Sequence, residues 1–137
     1  MKTLNVDNIL DKGLQDEDSL TQDEKMIYVV AYFESISDME GWDHFFTYSM
    51  EWYPLLIKIL KLAGDFSSTK IIQDYKTHLK ELGVAFNAQD IDTFLTKAPN
   101  EYYSSCVDWR EKFSNSAEQR WQLIIRYFKT LNIRLET

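Results

Sequence analysis

Apolar residues recur along most of this chain at intervals of three and four, the period of an α-helix, while alternating strand-like patterns are hard to find. In LTQDEKMIYVVAYFESI, Thr21 and Glu24 supply the T-x-x-E pattern that caps a helix start. Behind them Met26, Val30 and Phe33 line one face, widened by Val29 and Ile36, with Glu34 and Asp38 one turn apart on a more polar side. A short helix over about Gly41 to Ser49 follows, in which Trp42, Phe45, Phe46 and Ser49 share a side. Pro54 suits the first turn of another helix, and PLLIKILKLAG runs to Gly64, apolar nearly all round except Lys58 and Lys61, which predicts a central helix. SSTKIIQDYKTHLKELG begins at Ser67 or Ser68 and ends before Gly83, with Ile71, Ile72, Tyr75, Leu79 and Leu82 as its buried stripe. NAQDIDTFLTKAP opens on Asn87 and stops before Pro99. NEYYSSCVDWREKF and SAEQRWQLIIRYFKTLNI complete the set. The latter opens on a Ser116-x-x-Gln119 box and has Trp121, Ile124, Ile125, Phe128 and Leu131 as its core face. DKGLQDEDS reads as a polar loop in an acidic N-terminal segment, residues 1–19. These elements predict an all-α fold, a compact single-domain bundle of six to eight helices spanning residues 1–137.

Composition supports that class. A chain of 137 residues forms one domain with a substantial core, and with four Gly and two Pro it has few hairpin turns available. No apolar run approaches the ~18 residues of a membrane helix, and the N-terminus lacks the pattern of a signal peptide. The single cysteine, Cys106, has no internal disulfide partner, so a cytoplasmic setting is expected, with the thiol acting as a small buried hydrophobe. Charge is segregated. Residues 1–57 hold twelve Asp/Glu against three Lys, whereas residues 58–137 hold ten Asp/Glu against twelve Lys/Arg. An acidic half repels nucleic acid and anionic membrane and favours a protein partner with a basic surface.

Signatures of catalysis are sparse. There is no Gly-rich phosphate loop, nucleophile elbow, HExxH or Cys/His ligand array. The stretch EGWDHFFTYSMEWYP, residues 40–54, concentrates aromatics and carries Glu40, Asp43 and Glu51 without any Lys or Arg. Glu40, Asp43 and His44 could start a metal site, but neighbouring helical side chains diverge by about 100°. His44 and His78 fall on different predicted helices. No catalytic residue, metal ligand or cofactor is therefore assigned. Stacking of bases on the aromatics would need an accompanying cationic groove, which this acidic zone lacks. The basic stretch is at the C-terminal end, where residues 110–134 carry six Lys/Arg against two Glu.

Two segments resemble a bacterial family, formerly of unknown function, that is named after a DNA-mimic protein. Leu20, Thr21, Glu24, Lys25, Tyr28 and Val30 match its first motif, and Gly41, Trp42, Phe45, Phe46 and Ser49 its second. LLIKILKLAGDFSSTKIIQDY is similar to its following helix pair, so the resemblance covers roughly residues 20–95. Glu40, His44, Tyr48, Met50 and Glu51 depart from its pattern. The resemblance implies an all-α fold and an activity in which surface carboxylates imitate DNA and occupy a DNA-binding protein.

Charge and resemblance together give the expected role: a non-catalytic acidic module that binds a basic protein surface, with a DNA-binding regulator as the partner DNA mimicry would imply, and no direct contact with nucleic acid or membrane. Asp16, Glu17, Asp18, Asp23, Glu34, Asp38, Glu40 and Asp43 are the candidate contacts. Two other classes remain open: a small hydrolase or metal-dependent enzyme using His44 or His78, and an immunity-type binder that neutralises a toxin. Self-association into a homodimer is compatible with each.

Overall fold

A computed structural model describes all residues, Met1–Thr137. Its centre is the helix α2, Gln22–Met39. The expected capping box is present: the Glu24 N–H donates to Thr21 Oγ1 at 3.2 Å, and the Thr21 N–H donates to Glu24 Oε1 at 2.9 Å. Ile27, Tyr28, Val29, Val30 and Ala31 are buried in succession, followed by Phe33 and Ser37. A helix enclosed on all sides reads as apolar all round in its middle. The one-sided stripe inferred for this segment is therefore too narrow, and α2 shares the central place assigned to the Pro54–Gly64 helix.

Around α2 pack α1 (Val6–Gln15), α3 (Trp42–Tyr48), α4 (Tyr53–Leu62) and α7 (Asn100–Asn115). The helices α5 (Phe66–Glu81), α6 (Ala88–Leu95) and α8 (Ala117–Thr130) complete a bundle of eight, with single 3-10 turns at Glu17–Ser19 and Met50–Trp52. Pro54 lies in the first turn of α4, and Lys58 and Lys61 point to solvent, as expected. No helix is long and apolar enough to cross a membrane. The aromatic stretch is mostly core. Phe33 is ringed by Trp42 at 5.3 Å, Phe45 at 4.8 Å and Phe113 at 5.0 Å, and Phe46 stacks on Tyr75 at 5.1 Å. The Trp42 indole N–H donates to buried Ser37 at 2.7 Å, so the ring is satisfied where it packs. Gly41 leads into α3 at φ +91°, a backbone region that residues with a Cβ rarely adopt.

Five further expectations are corrected. The stretch DKGLQDEDS is not simply a loop: its first five residues are the second half of α1, an amphipathic helix with Val6, Ile9 and Gly13 buried and its N-terminus capped by Asn5. Gly13 explains the fit, because a Cβ there would stand 2.2 Å from the Tyr28 ring. Two short strands exist, β1 (Lys2–Asn5) and β2 (Ile133–Glu136), paired in parallel with Lys2 opposite Ile133 and Leu4 opposite Leu135. They join the two ends of the chain, and Ile133 and Leu135 alternate inward, a pattern too brief to stand out from the end of α8. The Ser116 box does not form, since Ser116 Oγ donates back to the Lys112 carbonyl at 2.8 Å. Finally, α5 begins one residue before the expected serines, capped by buried Asp65, while Leu82 and Leu131, expected in the core, are exposed.

Candidate protein-binding surface

A run of exposed carboxylates lies where α1 leads into α2. On α1, Asp7 and Asp11 stand one turn apart on the solvent side, spaced by about 6 Å along the axis. The chain then turns through Asp16, whose carboxylate accepts the Asp18 N–H at 3.1 Å. Glu17 is fixed by the Trp52 indole N–H, which donates to Glu17 Oε2 at 3.2 Å. Its neighbour Tyr28 has a phenol pushed well above its ordinary range, first by burial and then by the Glu17 charge. Glu17 and Asp18 form a ridge between two hollows. One, of about 440 Å³, is walled by Gly13–Asp18 with Tyr28 and Tyr32. The other, of about 260 Å³, is walled by Lys25, Glu51, Trp52 and Leu55.

Cations on this face are largely engaged. Lys12 Nζ donates to Glu24 at 2.9 Å, and Lys2 lies 3.8 Å from Asp23. The Glu24 carboxyl is held below its ordinary range, first by the Thr21 backbone N–H, with Lys12 adding to the effect against a cost of burial. Asp7, Asp11, Asp16, Glu17 and Asp18 take part in no salt bridge. Asp7 and Asp11 were not among the sequence-predicted residues: no helix was predicted over Val6–Gln15, and its second half, from Asp11, was read as part of a loop. The one signal available was the Val6, Ile9, Leu10, Gly13 spacing.

The eight predicted residues divide three ways. Asp16, Glu17 and Asp18 are together, with Asp23 close by in the first turn of α2. Asp38 and Glu40 are exposed but stand at the other end of α2, about 22 Å from Asp23 along the axis. No basic residue occupies that last turn, so both carboxylates sit at the negative end of a helix dipole. His44 Nδ1 lies 4.0 Å from the Glu40 carboxylate. Glu34 and Asp43 turn inward.

These two inward carboxylates organise the interior. Glu34 accepts from Arg120 Nε at 2.9 Å, from the second Arg120 nitrogen, and from the Trp121 indole at 2.7 Å. Arg120, almost wholly buried, also donates to the Phe113 carbonyl at 3.0 Å and to Ser68 at 3.3 Å, and Ser68 donates to Asp65 at 2.6 Å. Asp43 Oδ1 accepts from Tyr75 at 2.6 Å and Tyr102 at 2.5 Å, joining α3 to α5 and α7. Burial and then the Asp43 charge raise the Tyr75 phenol far above its ordinary range, and burial, the Tyr75 phenol and the Asp43 charge do the same for Tyr102. Cys106 Sγ lies 3.9 Å from Asp43 Oδ2, and burial followed by that charge pushes the thiol up to about 12. A neutral, buried thiol is a poor nucleophile. His44 rests against Tyr48, and His78 against Trp109 and Tyr102. No three His, Cys, Asp or Glu side chains are grouped to hold a metal ion.

Comparison with known proteins adds a family. The model described as DMP19-like protein matches residues 18–131. No curated protein and no solved structure matches the chain. The match takes in α2 to α8 and both segments that resemble the DNA-mimic motifs, and it leaves out β1, α1 and β2. Spanning most of the sequence and its helical body, it shows that the chain belongs to the DMP19-like family.

Proposed function

We propose that this chain is a non-catalytic binding module whose carboxylates occupy the basic surface of a DNA-binding protein in place of DNA. The observation that carries the reading is the row of unpaired carboxylates from Asp7 and Asp11 to Asp16, Glu17 and Asp18. Family membership supports it independently, because the match begins after Asp7, Asp11, Asp16 and Glu17. A DNA strand presents one phosphate per ~3.4 Å of axis, and the α1 carboxylates recur at about half that density. Such a row suits a short basic stretch. Asp23, Asp38 and Glu40 extend the acidic surface along α2. The two at its C-terminal end are held against the helix dipole, at a cost of about 0.3–1 kcal/mol each that a cationic partner would relieve. Glu34 and Asp43 hold the fold in this reading.

The test is retention of bacterial DNA-binding proteins on the immobilised chain, with elution by salt and by duplex DNA. A bound partner should be displaced by duplex DNA and weakened by rising salt. Asp16→Asn/Glu17→Gln/Asp18→Asn together should lower its affinity at least tenfold. Retention unmoved by duplex DNA and by the triple variant would refute the reading.

A further inference from the structure

A groove of about 420 Å³ runs between α1, α2 and α8, away from the Glu17 ridge. Val6, Leu10, Ala31 and Ile125 form its apolar walls, and Trp121 stands half-buried along it. Asp7 enters from α1, Glu118 from α8 and Glu34 from α2, and no Lys or Arg lines it. Asp7 and Glu118 are exposed and take part in no salt bridge. Glu34 is fixed by the Trp121 indole N–H and by Arg120: its Oε2 is taken up by two Arg120 N–H groups, and its Oε1, which accepts from Trp121, retains a further lone pair. An apolar slot with an aromatic wall and carboxylates on both banks is complementary to a side chain with an aliphatic stem and a planar cation. Arginine meets that description better than lysine, since its guanidinium stacks on indole and reaches two carboxylates with separate N–H groups.

We infer that this groove receives an arginine side chain of the protein partner, with one aliphatic neighbour on the Val6–Leu10–Ile125 wall. The inference rests on the reading that the chain binds a protein with a basic surface. It adds a specific anchor at a place that reading does not use, apart from Asp7, which belongs to both. An arginine seated on Trp121 would cover its aliphatic stem against the indole and the apolar wall, and Arg is among the side chains that carry most of the energy of protein interfaces.

The full chain, titrated with the capped dipeptide acetyl-Leu-Arg-amide, tests this without any DNA-binding partner. The readout is the Trp121 indole N–H signal in the ¹⁵N NMR spectrum, assigned by its loss in Trp121→Phe. Saturable movement with a Kd near about 1 mM is expected, as for one side chain and a neighbour. The citrulline counterpart, which keeps the shape and loses the charge, should bind roughly tenfold more weakly or worse. Asp7→Asn/Glu118→Gln should weaken the arginine peptide by a similar factor, with the rest of the spectrum unchanged. Equal binding of the two peptides would make the groove a merely apolar slot and overturn the inference, as would no movement up to about 20 mM, far above the expected Kd. Movement of the signal with protein concentration alone would assign the groove to a second copy of the chain and overturn it too. Asp16→Asn/Glu17→Gln/Asp18→Asn should leave the titration unchanged, so failure here and failure of the DNA-mimic reading remain distinct.

Discussion

Arg120 is the most consequential polar side chain in the core, and Arg120→Met tests why. Methionine keeps an unbranched stem near the Phe113 ring, above which the guanidinium carbon sits at 3.7 Å. It removes the donors to Glu34, to the Phe113 carbonyl and to Ser68. Breaking one half of a buried pair costs about 3–5 kcal/mol, because the other charge is left uncompensated. Glu34 is 21% exposed and keeps its bond from Trp121, so water offsets part of the loss. The expected cost is therefore near the lower end, about 3 kcal/mol. At about 4 °C per kcal/mol for a chain of this size, that is a fall of about 12 °C in Tm. Glu34→Gln strands the guanidinium instead, which is only 1% exposed, and should cost about 2–3 kcal/mol. The double variant should cost less than the sum by more than about 1 kcal/mol, since the second change removes a charge already orphaned. Urea unfolding of all four proteins, with midpoints and slopes, measures the cycle. Additivity within about 0.5 kcal/mol, or single variants each costing under about 1 kcal/mol, would refute a coupled buried pair.

Gly13→Ala sets helix propensity, which favours alanine by about 1 kcal/mol, against overpacking of about 1–3 kcal/mol. The new Cβ would meet a Tyr28 ring confined by Tyr32 at 5.3 Å and Trp52 at 5.2 Å, so thermal melting should show a net loss, and stabilisation would refute the close approach. Thr21→Ala removes half of the capping box and should cost about 1 kcal/mol in urea, with an unchanged midpoint counting against it. Alkaline pH should destabilise the fold. The folded state holds the Cys106 proton up to about 12 against an ordinary 9.0, so unfolding releases a proton in that window. The contribution is complete below pH 9 and declines by about 1.4 kcal/mol per pH unit as pH rises toward 12, with Tyr75 and Tyr102 acting in the same direction. Urea midpoints between about pH 8 and pH 10.5 should fall, less so in Cys106→Ala, and a flat profile would refute the burial of these groups.

What the sequence determined by itself is local and periodic. The capping box at Thr21 and Glu24, the proline start of α4, the Asn87 cap of α6 and the common face of Trp42, Phe45 and Phe46 are each set by residues within a turn or two of one another. The motifs that carry the family resemblance are local in the same way, so the all-α class and the family could be read before any contact was known. Tertiary structure decided what depends on distant partners. Gly13 lowers the helix propensity of α1 until Tyr28 gives its missing Cβ a purpose, and the strand at Ile133–Glu136 exists because Lys2–Asn5 lies alongside it. The fate of the carboxylates is the clearest case. Glu34 and Asp38 are one turn apart on one helix, yet only Glu34 meets an arginine 86 residues away. Asp43 and Glu40 flank one short turn, yet only Asp43 is drawn between two buried tyrosines. A side chain's charge is written in the sequence, but whether that charge is held inside or left for a partner depends on what the fold brings within about 3 Å of it.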